Sequence, residues 1–132
     1  MMKKFYVGVK GLVRSDKGFL IIKHARGYWD LPGGRLDDDE DLEDGLIREL
    51  SEELPNCKLK TIGNQIGAHR VHKDIDDDIS LVLIYFIVEV EVPDAVELSH
   101  EHTECLWVNK ESDFPEPMDQ SMRKVLLSQL KK

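Results

Sequence analysis

Between residues 48 and 53 the chain reads Arg-Glu-Leu-Ser-Glu-Glu, which sets Glu49, Glu52 and Glu53 three and four residues apart beside the guanidinium of Arg48. On an α-helix those intervals bring side chains onto one arc within reach of one another. Like charges held so close repel. Hard oxygen donors of this kind suit Mg2+ or Mn2+, which would neutralise them. The same pattern also fits a solvated acidic face, and the helix alone does not choose between the two. The chemistry open to a cation-bearing cluster is hydrolysis at phosphorus, where a water must be positioned, a base must take its proton, and charge on phosphoryl oxygens must be neutralised.

Such a cluster works only if a rigid element presents it. At about 100° per residue, Leu42, Leu46, Ile47, Leu50 and Leu54 share an arc next to the glutamates and should pack on a sheet. The helix is predicted from about Asp39 to Leu54, with acids crowding its start where the dipole favours them, and Pro55 stopping it. Gly45, one turn before Glu49, leaves room for something to approach the backbone. Upstream, Trp29 to Gly34 reads as a shaped loop, because Pro32 restricts its predecessor and Gly33-Gly34 permits unusual dihedrals.

Phe5 to Val13 and Phe19 to His24 read as strands joined by a turn ending at Gly18. Ile79 to Val92 is a long buried strand, expected at the centre of a sheet. Cys105 to Val108 is a further short strand, and Met122, Val125, Leu126, Gln129 and Leu130 follow the spacing of a C-terminal helix. Strands and helices mix without regular βαβ alternation, which predicts α+β layering. With 132 residues and neither repeat nor linker, the expectation is one domain over residues 1–132.

Composition narrows the partners. Hydrophobic residues at 41% and charged residues at 33% fit a soluble globular protein. A net charge of −8 argues against extended nucleic acid or an anionic membrane as partner, so a phosphate-bearing ligand is expected to be small and to arrive with divalent cations. Cys57 and Cys105 are too few for a disulfide framework, the apolar run from Leu81 to Val88 is too short to span a bilayer, and no signal peptide is evident. A cytoplasmic location is expected, with the chain a monomer or homodimer.

The segment from Gly34 to Asn56 resembles the Nudix box, G-x5-E-x7-R-E-U-x-E-E-x-G-U with U aliphatic. Gly34, Glu40, Arg48, Glu49, Leu50, Glu52 and Glu53 stand at its spacings, and Leu31-Pro32-Gly33 looks like the approach to it. Pro55 and Asn56 depart from the pattern, replacing a glycine and an aliphatic residue. The helix should therefore stop differently, with Glu53 the ligand most exposed to altered geometry.

That resemblance implies an α/β/α sandwich with a mixed central sheet, a catalytic helix and a C-terminal helix. It implies Mg2+, or Mn2+, on Glu49, Glu52, Glu53 and the carbonyl of Gly34 (or of its neighbour Gly33), with Arg48 orienting a carboxylate and Glu40 as the outer acid. The reaction implied is hydrolysis of a diphosphate linkage in a nucleoside diphosphate joined to another moiety, a nucleoside triphosphate or a nucleotide derivative. A catalytically silent nucleotide-binding module of the same fold is the alternative.

A further acid is expected from the loop before the last strand. Glu101, six residues before Trp107 as in the 8-oxo-dGTP pyrophosphohydrolase branch, is favoured over Glu97 and Glu104. Catalytic roles are thus expected of Glu52, Glu53, Glu101 and Arg48. Substrate contacts are expected of Arg26, Tyr28 and Asp119, with Trp29 as a second aromatic and Lys23 as a second cation. Asp113-Phe114-Pro115-Glu116-Pro117 also resembles that branch, but the asparagine expected to read a purine is replaced by Met118, Asp119 or Gln120. Oxidised dGTP is then one candidate beside diadenosine polyphosphates, nucleotide sugars and ordinary triphosphates. The pairs His69/His72 and His100/His102 lack the partners a zinc site requires, although His100 and His102 flank Glu101 and could meet phosphate.

Overall fold

Nearly unbroken β-formers along two segments build the centre of the sheet. In the computed structural model, which describes residues 2–71, 75–76 and 78–131, β1 (Lys4–Ser15) and β6 (Ile79–Glu91) run parallel, in register from Lys4 opposite Ile79 to Arg14 opposite Glu89. Parallel strands of this composition are buried on both faces. Leu12, Leu83 and Tyr85 face one side with Phe114, Met122 and Leu126. Val9, Val13, Phe86 and Val88 face the other with Leu46, Leu50 and Leu54. The sheet is therefore sandwiched between α1 (Leu42–Glu53) and α2 (Gln120–Leu130), an α+β fold as expected.

Seven strands appear among the described residues. The path runs β3 (Trp29–Asp30), β2 (Gly18–His24), β1, β6 and β5 (Lys58–Arg70), with β4 (Gly33–Arg35) on β1 and β7 (His102–Val108) on β2. Two expectations need correction. Trp29 to Gly34 contains two short strands, because β1 still has unpaired edge between its turn to β2 and its start, and Gly8 to Lys10 there pair with Gly33 to Arg35. Ile47 lies off the buried arc, 43% exposed. The thirteen-residue strand β5 carries no apolar signature. It covers only one side of β6, its outward positions are polar, and its register shifts around Gly63 and Gly67.

Asp41 precedes α1, and Glu43 and Asp44 lie in its first turn, where acids favour the dipole. The helix stops at Leu54, whose N–H still bonds to Leu50, so Pro55 falls just past the last hydrogen-bonded turn. No helix among the described residues is long and apolar enough to cross a membrane.

Candidate functional site

Three leucines anchor α1 on the sheet, each contributing about 1.5–3 kcal/mol on burial, and that anchoring aims the next arc of the helix at β4. The three glutamates diverge in environment. Glu53 is buried, and its Oε1 accepts the N–H of Gly33 at 2.6 Å. Glu49 has a side chain 16% exposed, while that of Glu52 is 60% exposed. Glu53, next to the altered helix end at Leu54 and Pro55, is thus the most enclosed of the three.

Glycines make room for this arrangement. A Cβ on Gly34 would lie 2.6 Å from the carboxylate of Glu49, and one on Gly33, at φ 138°, would strike the carbonyl of Val9. The space beside Gly45 is filled by Leu36, with Glu40 next to it.

Arg48 ties the cluster together. Its Nε and Nη2 donate to the two oxygens of Glu40 at 2.7 and 3.0 Å, the planar fork geometry that favours strong bonds. Its Nη1 donates to Glu49 at 3.0 Å and lies 3.5 Å from Glu52, and Nη2 also reaches the carbonyl of Arg35 at 3.1 Å. These bonds hold Glu40 below the ordinary carboxylate range. Burial pushes Glu49 up, against the pull of Arg48, and pushes Glu53 up to about 8.

As the side chains stand, no three His, Cys, Asp or Glu groups among the described residues converge on one point. The donor set nonetheless fits a hard divalent cation. Two enclosed carboxylates are held back from ionising by burial, a third beside them is open to solvent, and the cradle at Gly34 would be filled by any Cβ.

The loop expected to carry a further acid docks on this helix end. Asn56, at the departure from the aliphatic pattern, donates from Nδ2 to the carbonyl of Ala95 at 2.8 Å and accepts from Glu97 N–H at 2.9 Å. Ser99 N–H then reaches the carbonyl of Glu53 at 3.2 Å. This brings buried His102, whose Nδ1 lies 3.3 Å from Ser99 Oγ, within 3.7 Å of the Glu53 carboxylate. Burial lowers the pKa of His102, so it stands there as neutral imidazole. Glu101 is exposed in the turn just before it, and its carbonyl accepts from Ala25 N–H. Glu104 pairs with Lys23 at 3.3 Å across β2 and β7, an arrangement that occupies Lys23. His100 is exposed, His69 bonds Tyr85 Oη at 2.7 Å, and His72 lies outside the described residues.

On the α2 side of the sheet a cavity of about 660 Å3 opens beside Gly34 and Arg35. Leu81, Leu83, Met118 and Met122 give it apolar walls. Of the expected substrate contacts, Tyr28 lines it, stacked on His24 at 4.7 Å, and so does Asp119, which also caps α2 through Met122 N–H. Arg26 does not line the cavity. Trp29 is both core and lining. Sequence reasoning missed Lys10, Asp30 and Arg35, which bring charge to the same cavity. For Lys10 a signal existed: strand alternation puts it on the face of Leu12, where an apolar residue is expected.

Known proteins align with this chain. The family model described as NUDIX domain matches residues 4–129. A MutT protein from Methanosarcina mazei Go1 superposes with a TM-score of 0.76 at 27% identity, covering 99% of this chain and 96% of that one. A MutT NUDIX hydrolase from Burkholderia pseudomallei gives 0.77 at 25% identity, covering 94% and 97%. An 8-oxo-dGTP diphosphatase of Proteus vulgaris is 52% identical over 31 residues, which span 24% of this chain and 28% of that relative's length.

Proposed function

The chain belongs to the NUDIX family, and from that premise we propose that it is a pyrophosphohydrolase cleaving a diphosphate linkage in a nucleoside diphosphate joined to another moiety. One observation carries the reading: a cavity large enough for a nucleoside and a carboxylate cluster suited to phosphate-bound cations meet at Gly34 of the short strand β4. A nucleotide seated with its ring between Tyr28 and the apolar walls, near Asp119, directs its phosphates past Arg35 toward Glu49 and Glu53.

The residues proposed to hold a divalent cation, Mg2+ or Mn2+, are Glu49, Glu52, Glu53 and the carbonyl of Gly34. When bound, the ion neutralises charge on the phosphoryl oxygens and acidifies water. Arg48 holds Glu49 beside Gly34 and lies within reach of Glu52, and Gly33 N–H fixes Glu53. Glu101, exposed in the turn before β7, takes a proton from the attacking water as that oxygen bonds to one phosphorus and the bridging oxygen leaves on the other.

The test is phosphate or diphosphate release from a nucleotide panel, with Mg2+ or Mn2+ and with chelator. Turnover of at least one nucleotide that stops in chelator is expected. Tight nucleotide binding without turnover under any metal would instead support a silent binding module.

A further inference from the structure

Lys10 is a charged residue on the floor of the cavity. It projects from β1 on the face of Leu12, between Gly33 of β4 and Tyr85 of β6, and its side chain is 10% exposed. Its ammonium donates to Asp30 Oδ2 at 3.0 Å and to the carbonyl of Leu31 at 3.2 Å. An ammonium has three N–H donors, so two are matched among the described residues and one remains. The other oxygen of Asp30 accepts from Leu31 N–H at 2.8 Å. The pair is thus fixed from both sides, with Lys10 and Asp30 both lining the cavity.

We propose that Lys10, held by Asp30, is a specificity-determining residue that selects a heteroaromatic ring bearing a carbonyl group, whose oxygen accepts the third N–H. This inference rests on the reading of the cavity as the nucleoside site. Electrostatics favour a neutral acceptor over a phosphate here. The charge of Lys10 is already balanced by Asp30, and Asp119 brings a second carboxylate into the same lining, so the floor offers a phosphate no net attraction. Arg35 lies beside Gly34, at the end where the phosphates leave. A ring with an amino group at that position would set donor against donor. Inside an apolar cavity that leaves a buried donor unmatched, and sites built this way discriminate far more strongly than apolar contacts do.

The experiment compares binding of inosine monophosphate with that of purine riboside monophosphate, which lacks the carbonyl, by calorimetry on the full chain, where no hydrolysis intervenes. A preference of about tenfold or more for the carbonyl ring is expected in the wild type, as for a hydrogen bond from a charged donor. In Lys10→Met/Asp30→Asn, which removes the pair together so that no lone buried charge is left, the preference should fall below about threefold. Equal wild-type affinities for the two rings overturn the role of Lys10 while leaving the cavity as the nucleoside site. So does an equal weakening of both rings in the variant, which marks a phosphate contact. Failure of both monophosphates to bind overturns the placement of the nucleoside itself. The wild-type comparison needs no variant to fold.

Discussion

The two sides of β4 handle charge in opposite ways. Toward α1, Arg48 faces Asp37, Glu40, Glu49 and Glu52, with Glu53 buried just beyond, so negative charge is in excess. Toward α2, Lys10 meets Asp30 one to one between apolar walls. Excess carboxylate in partial burial is costly unless a cation joins it, whereas a balanced pair can stay in place and present one donor to a neutral group. One strand thus separates the proposed cation site from the proposed nucleoside site. The glycines at its start let both approach the same backbone.

The sharpest way to break that division is at Glu101. If it supplies the base from outside the helix cluster, Glu101→Gln lowers kcat by about 10² to 10⁴ with KM nearly unchanged. Glu104→Gln and Glu97→Gln are the controls, since Glu104 is engaged by Lys23 and Glu97 holds Asn56 through its backbone. A loss under about threefold for Glu101→Gln would return the base to α1.

A smaller effect is expected at Asn56, which joins the loop before β7 to the end of α1 by two hydrogen bonds. Asn56→Ala should cost about 1 kcal/mol of stability per bond lost, and about tenfold in kcat as His102 and Glu101 lose their seat. In a cycle with His102→Gln the two losses should not add, because coupled neighbours deviate from additivity. Additive losses would show that the tether stabilises without positioning.

Contacts within one helix and contacts across strands differ in how far a sequence reveals them. The acidic side is legible in part because helical periodicity fixes which side chains can meet: Glu49 and Glu52 beside Arg48, and the leucines that anchor the helix, follow from local geometry. The cavity side is assembled across strands. Lys10 and Asp30 are twenty residues apart and meet only through the β1–β4 and β2–β3 pairings. Asn56 and Ala95 are farther apart still. The strand β5 is not legible in the sequence, because an edge strand with polar outward positions has no apolar run. Ile47 was misplaced because a wheel assigns an arc without saying how wide the sheet beneath it is.

The central claim is that the α1 cluster is a cation site, and thermal unfolding tests it most directly. The carboxyl of Glu53 is raised by burial from an ordinary 4.5 to about 8. Below 4.5 it is protonated in both states. Between 4.5 and about 8 the folded protein keeps a proton that the unfolded chain has lost, so metal-free stability falls as pH rises through that window. A divalent cation takes the place of that proton, so its stabilising effect should grow with pH. At a hundredfold excess over Kd, Mg2+ should contribute about 2.7 kcal/mol, or roughly 10 °C in Tm, at pH 8.5, and markedly less at pH 6. The variant Glu49→Gln/Glu52→Gln/Glu53→Gln should show neither the gain nor its pH dependence. Equal Mg2+ responses in the wild type and in that variant would contradict the account.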